Sequence, residues 1–321
     1  MYWLDHIGVV VSDLDQASRF YTDLFGTSIL ETTRWRGRDA DYVAAMLGQP
    51  AGLELDASFV KLPQMNSYVE LLHYSGLSQN HLRPAPTDIG ALHLGLYVDS
   101  AESALARLGR PTTGAVTDIP YGPCKGGKTA YLTDPDDVNI QFMQLDRRPG
   151  KLPVLKGADC WIDHVGIVVA DLDASLAFYS RLFETEPVER AAWRGKDADY
   201  VAAMLGRPVG MELEAGFLRI PQTNTLLELI KYSGFDQPSV AAKATDLGAI
   251  HIALYVESAE DTLSRMRVAA TGQLTDVPYG PSRGGRTAYL RDPNGVNIQL
   301  MQVSRRPGNL PILKPSLAAV I

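Results

Sequence analysis

The chain has little cysteine: two residues in 321, Cys124 and Cys160. Neither has a counterpart at the equivalent position of the other half, so no disulfide framework is expected and a reducing, cytoplasmic setting is. Long hydrophobic runs are missing as well. Apolar stretches break within about ten residues, against the ~20 that a membrane-spanning helix requires. There is no run of lysine or arginine, and the net charge is −7. Nucleic-acid partners are therefore not expected, because phosphate recognition needs a basic patch. The opening stretch Met1-Tyr-Trp-Leu-Asp-His6 has neither the basic nor the apolar region of a secretory leader. The rest is an ordinary globular composition, 45% hydrophobic and 21% charged. At ~100–200 residues per domain, such a length favours two domains.

Repetition is what the sequence has in plenty. The segment Trp35-Arg-Gly-Arg-Asp-Ala-Asp-Tyr-Val-Ala-Ala-Met-Leu-Gly-Gln-Pro50 returns, nearly unchanged, as residues 193–208. Asp5-His-Ile-Gly-Val-Val-Val11 returns at 163–169, Pro120-Tyr-Gly-Pro123 at 278–281, and Arg147-Arg-Pro-Gly150 at 305–308. Each pair is offset by 158 residues, a spacing too regular for chance and too long for a solenoid. Two domains are expected, over residues 1–148 and 159–308. A Pro/Gly-marked linker at 149–158 and a tail at 309–321 complete the chain.

Inside the first copy, residues 7–11 read as a strand and 14–25 as an amphipathic helix capped by Asp13. Strands follow near 28–34, 54–62 and 68–74. The cycle then restarts with a strand at 92–98, a helix at 101–108 after Ser100, and strands near 128–132 and 139–145. The order β-α-β-β-β thus occurs twice per copy. Strands outnumber helices, so the expected class is α+β, with sheets packed on helices by one face and free to curve round a ligand with the other.

Side chains alternate faces along a strand. In Leu92-His-Leu-Gly-Leu-Tyr-Val98 the histidine opposes the core leucines, as His251 does in the second copy. His6 and His164 repeat the device, each with a glycine two positions on. Glu70 shares a face with Tyr68, Leu72 and Tyr74, and Glu228 with Leu226, Ile230 and Tyr232. Gln141 and Gln299 stand between apolar neighbours in the last strands. A lone strand histidine is more often a satisfied core residue, and a lone glutamate a solvated one. Two histidines, a carboxylate and an amide recurring together point instead to a divalent cation, which would neutralise the buried charge. Mixed imidazole and carboxylate donors suit Zn, Fe, Mn, Co or Ni better than Ca or Mg.

Two further duplicated features could meet a substrate. One is the insertion containing Trp35 and Tyr42, which could equally pack between domains. The other is Tyr121-Gly-Pro-Cys-Lys-Gly-Gly-Lys128 with its copy at 279–286, whose cations could meet an anion but lack the Walker spacing.

Asp5-His-Ile-Gly-Val-Val-Val11, Tyr68-Val-Glu-Leu-Leu72, Ala91-Leu-His-Leu-Gly95 and Thr129-Ala-Tyr-Leu-Thr-Asp-Pro, in that order and spacing, resemble the vicinal oxygen chelate (glyoxalase/bleomycin resistance/dioxygenase) superfamily over nearly the whole chain. The resemblance implies paired β-α-β-β-β modules forming cupped mixed sheets around one divalent metal. It places the metal ligands at His6, Glu70, His93 and Gln141, and again at His164, Glu228, His251 and Gln299. The last position departs from the glutamate usual in the family. Two histidines, one glutamate and one glutamine resemble methylmalonyl-CoA epimerase instead, which implies redox-neutral chemistry. The expected activity is an isomerase, epimerase or lyase acting through a metal-stabilised enediolate on a small oxygenated metabolite. A ring-cleaving Fe(II) dioxygenase and a ligand-sequestering resistance protein are the alternatives. Resemblance to the epimerases also points to Glu54 and Glu212 as general bases, with Asp56 and Glu214 behind them. A homodimer is allowed for among the partners. Whether each site forms within one copy or between copies stays open.

Overall fold

The computed structural model describes residues 3–63, 67–120, 125–144, 160–221, 223–278 and 283–302. The expected linker and tail lie outside these residues. The first module runs β1 (Trp3–Val10), α1 (Leu14–Phe25), β2 (Ile29–Trp35), α2 (Arg38–Leu47), β3 (Glu54–Lys61) and β4 (Tyr68–Ser75). The second runs β5 (Leu92–Val98), α3 (Ala101–Leu108), β6 (Thr117–Asp118), β7 (Lys128–Thr133) and β8 (Asn139–Gln144). The second copy follows with β9 (Cys160–Val168), α4 (Leu172–Phe183), β10 (Glu189–Trp193), α5 (Asp199–Met204), β11 (Glu212–Arg219) and β12 (Leu226–Ser233). It ends in β13 (Ile250–Val256), α6 (Ala259–Met266), β14 (Thr275–Asp276), β15 (Arg286–Arg291) and β16 (Asn297–Gln302).

Local chemistry sets the helix boundaries. Asp13 accepts from the Gln16 amide at 2.8 Å, and Ser100 from that of Ser103 at 3.2 Å. Asp171 and Ser258 repeat these caps in the second copy, each worth about 1 kcal/mol. Gly26 ends α1 in the left-handed region, at φ 61°, where a side chain would be strained.

The sheets do not follow the sequence repeat. One has the order β14-β15-β16-β13-β1-β4-β3-β2, the other β10-β11-β12-β9-β5-β8-β7-β6. The first module therefore joins the fourth, and the second joins the third, through antiparallel pairing of their leading strands β1–β13 and β5–β9. Within each module the leading strand runs parallel to the last, as β1 does to β4 and β13 to β16. Each mixed sheet thus takes half its strands from either copy.

Alternation then divides the faces as expected. Leu92, Leu94, Leu96 and Val98 enter one continuous apolar core with α1 and α4, and Ile250, Ile252, Leu254 and Val256 enter it too. The histidines between them turn to the concave face. The alternation breaks in each leading strand, where in β1 a bulge between Leu4 and His6 shifts the register against β13. The matching bulge in β9 lies between Ile162 and His164. It adds an unpaired residue, Asp5 or Asp163, and this is why the leading strands start earlier than their apolar runs suggest. Among the described residues no helix is long and apolar enough to cross a membrane.

Candidate metal centres

The strand pairing between copies decides which side chains meet. His6 Nε2 lies 3.1 Å from His251 Nε2 and 2.9 Å from Glu70 Oε2. In the other sheet His164 Nε2 lies 3.0 Å from His93 Nε2 and 3.1 Å from Glu228 Oε2. Each trio offers two imidazole nitrogens and a carboxylate oxygen within 4.8 Å of one another. The glutamine sharing each site comes from the strand beside the second histidine, since Gln299 is registered with Ala253 and Gln141 with Gly95. So His6 and Glu70 stand with His251 and Gln299, while His164 and Glu228 stand with His93 and Gln141. Each set takes two residues from either copy.

The glycines near the histidines serve the opposite copy. A Cβ on Gly8 would come within 1.9 Å of the His251 ring, and one on Gly166 within 1.9 Å of the His93 ring. These positions make room for the histidine of the opposite copy rather than for the one two positions before them.

Asp5 and Asp163 were not singled out in the sequence, although Asp-His is repeated there. Strict alternation would turn neighbouring residues to opposite faces. The bulge lets both face the site, and His6 Nδ1 donates to Asp5 Oδ2 at 2.7 Å while His164 Nδ1 donates to Asp163 Oδ2 at 2.9 Å. That bond holds Nε2 toward the cluster, as outer carboxylates do for ligating histidines. Tyr289 and Tyr131 were also missed. The Tyr289 hydroxyl lies 3.1 Å from His251 Nε2 and donates to Gln299 Oε1 at 3.4 Å. The Gln299 amide nitrogen donates to Thr287 Oγ1 at 3.2 Å and to Met46 Sδ at 3.6 Å, which turns its oxygen toward the histidines. The pairing of Tyr289 with Gln299 across β15 and β16 was legible in principle, since both sit in alternating strands.

Electrostatics divide the histidines into two kinds. Burial pushes His6 down, but the carboxylates of Glu70 and Asp5 outweigh it and raise its pKa to about 10. His164 is likewise raised against burial, by Glu228 and Asp163. His251 and His93 are held low by burial and by the charged histidine beside each. Burial raises Glu228. Each cluster thus collects positive charge between buried donors. Two imidazoles, a carboxylate and an amide oxygen, converging and desolvated, fit a borderline divalent cation.

Above the first cluster is a cavity of about 100 Å³, lined by Trp35, Tyr42, Met46, Leu55, Phe59 and Val277 among others. The insertion carrying Trp35 and Tyr42 therefore reaches the site, and α2 also packs on β14 and β15 of the other copy. Tyr121–Cys124 and their copy at 279–282 lie outside the described residues. Of the cations that follow, Lys128 is bound to Glu102 at 2.9 Å and Arg286 to Glu260 at 3.1 Å.

Glu54 and Glu212, the expected bases, are not brought to the clusters. Leu55 and Phe59 face the cavity, so Glu54 and Asp56 point to the other side of β3. There Glu54 meets Arg36 Nε at 3.0 Å and Asp56 meets Arg36 Nη2 at 2.7 Å. Glu54 is registered with Ser75, five residues along β4 from Glu70, a distance of about 17 Å. Glu212 and Glu214 pair with Arg194 in the same way. Phe59, not Glu54, stands opposite Glu70.

Comparisons with known proteins agree with this architecture. The model of the Glyoxalase/Bleomycin resistance protein/Dioxygenase superfamily matches residues 3–142 and again 161–300. A probable chloroplastic lactoylglutathione lyase of Arabidopsis thaliana is 31% identical over 208 residues, which is 63% of this chain and 49% of that protein. The chain thus spans about half the length of that relative. A 2-epi-5-epi-valiolone epimerase of an Actinomyces species is 26% identical over 50% of this chain and 92% of its own. The crystal structure of glyoxalase I from Zea mays superposes with a TM-score of 0.58 at 16% identity, over 94% of this chain and 92% of that one.

Proposed function

Because the chain belongs to the glyoxalase/bleomycin resistance protein/dioxygenase superfamily, as two tandem domains, we propose that it is a divalent-metal-dependent isomerase, epimerase or lyase acting on a small oxygenated metabolite. The observation that carries this reading is the pair of His-His-Glu clusters, each completed by a glutamine and assembled from both copies. His6, Glu70, His251 and Gln299 would hold one ion; His164, Glu228, His93 and Gln141 would hold the other. The bound ion would supply Lewis-acid polarisation of adjacent substrate oxygens.

The chain's own groups do the rest. Asp5 fixes the tautomer and direction of His6. Thr287 and Met46 aim the Gln299 amide. The apolar cavity walls exclude water, which strengthens every charge interaction inside. Proton transfer needs a base within hydrogen-bond reach of the substrate C–H. Glu70 is the one carboxylate among the described residues lining the cavity, so we assign that role, besides its place among the ligands, to Glu70 and to Glu228 in its copy. The walls given by Trp35, Tyr42, Phe59 and Met46 favour an uncharged, apolar body on the substrate, which is closer in kind to a cyclic hydroxyketone than to a peptide conjugate.

Elemental analysis should find up to two divalent ions per chain. Solvent deuterium should enter α-hydroxycarbonyl compounds only with the ions present. A metal-free protein with no exchange would leave a binding protein instead. Two histidines and one carboxylate are also the donor set of non-haem iron oxygenases, which keeps a ring-cleaving dioxygenase as the second reading. Catechol-dependent oxygen uptake by the iron-loaded protein would decide for it. A cytoplasmic location and a homodimer belong to the same proposal, testable by fractionation and by sedimentation.

A further inference from the structure

The two centres are built from duplicated parts, but one bracing residue was not duplicated. Tyr68 begins β4 beside His6, with which it is registered. Its ring stacks on the His6 imidazole at 5.3 Å between centroids and 12° between planes. Its hydroxyl donates to Asp5 Oδ2 at 3.0 Å, the same oxygen that accepts from His6 Nδ1. Tyr68 is held in turn by Phe59, edge-on at 5.0 Å. The matching position beside His164 is Leu226, which can neither donate to Asp163 nor stack as an aromatic ring. Solvent access follows this difference: the Asp5 side chain is 4% exposed and that of Asp163 is 22%.

We infer that Tyr68 is a positioning residue that makes the two centres unequal, so that a divalent cation fills the His6–Glu70–His251 centre before the His164–Glu228–His93 centre. This rests on the metal reading given above. A histidine clamped by a ring on its face and a carboxylate on its Nδ1 has little orientational freedom left to lose when Nε2 takes a ligand. A carboxylate shielded from water and tied down by a hydroxyl keeps that clamp, whereas Asp163 shares its oxygens with solvent. Outer-shell partners of this kind typically contribute ~10–100-fold in metal affinity.

The test is a titration of the full chain, stripped with chelator, with Co²⁺. It is followed by calorimetry and by the visible absorption that reports the ligand set. Two steps separated by about tenfold are expected. Tyr68→Phe keeps the stacked ring and removes only the hydroxyl; it should weaken the tight step several-fold and leave the weak one in place. Asp5→Asn should weaken the tight step further. His251→Ala should abolish the tight step and His93→Ala the weak one. Two equal steps in the wild type, or a tight step that survives His251→Ala or is unchanged in both Tyr68→Phe and Asp5→Asn, would overturn the inference while leaving a metalloprotein. No cobalt uptake at all would overturn the metal reading and this inference with it.

Discussion

At the first centre His6 is gripped by Asp5 at 2.7 Å and stacked on Tyr68, and its neighbour across the strand pair is Ala253. At the second, His164 is held by Asp163 at 2.9 Å, has Leu226 where the tyrosine would be, and stands opposite Gly95. Ligand atoms, bulge and strand order are the same. The difference lies in the surroundings, and it shows that duplication copies a donor set more faithfully than the packing that stiffens it. The converging side chains would answer to a bound ion, while their neighbours answer to a core that tolerates repacking.

Paired histidine deletions within and across the copies should have the largest effect. His6→Ala with His251→Ala removes two donors from one centre and should leave one ion bound per chain. His6→Ala with His93→Ala takes one donor from each centre, although both lie in the same copy, and should leave none. Metal counts by mass spectrometry check this, and the reverse counts for the two double variants would refute the assembly of each site from both copies.

Proton linkage is the next largest effect expected at the centres. A group whose folded pKa is raised adds stability that is fully present below its unfolded value and is lost as pH rises through the folded one. For metal-free protein His6 therefore stabilises the fold fully below its ordinary 6.5, and that contribution disappears on the way up to about 10. An ion must displace the same proton, so affinity at the first centre should climb with pH through that window, with proton release on binding. Calorimetry in buffers of different ionisation enthalpy measures the released proton. Release at neither centre would contradict the charge assignment.

Steric substitutions should give the next largest effects. Gly166→Ala sets a Cβ within 1.9 Å of the His93 ring and should cost about 1–3 kcal/mol in urea denaturation, while lowering metal occupancy of the second centre. Gly95→Ala should cost less, although its Cβ would lie 2.2 Å from the His164 ring, because the first centre already accommodates alanine at the equivalent position, Ala253. The reverse ranking would mean that the two centres use their small residues differently.

Smallest of all should be Glu54→Gln. Its partner Arg36 is a surface group and the Glu54 side chain is 44% exposed, so stability should change by under about 1 kcal/mol, with turnover little altered. A drop of tenfold or more would restore Glu54 as a base and undo the assignment to Glu70.

Several elements were readable in the chain itself because their causes are local. The helix from Leu14 to Phe25 and the strand from Leu92 to Val98 follow from caps, apolar spacing and period-two alternation, and the same alternation puts the four candidate donors of each copy on one face. Glu54 shows where such reasoning failed. A resemblance that places a carboxylate early in a strand carries no register, and one position of offset moves a side chain to the opposite face of a sheet. Asp5 was missed for the converse reason, since only a bulge lets it share a face with His6.

Duplication, the α+β class and the candidate donors could all be read from the chain, because repetition, periodicity and residue chemistry are properties of neighbours in it. Tertiary structure alone decided which donors meet. Antiparallel pairing of β1 with β13 and of β5 with β9 joins residues some 245 and 71 positions apart, and nothing local distinguishes that pairing from its alternative, because the strands of the two copies carry nearly the same apolar pattern.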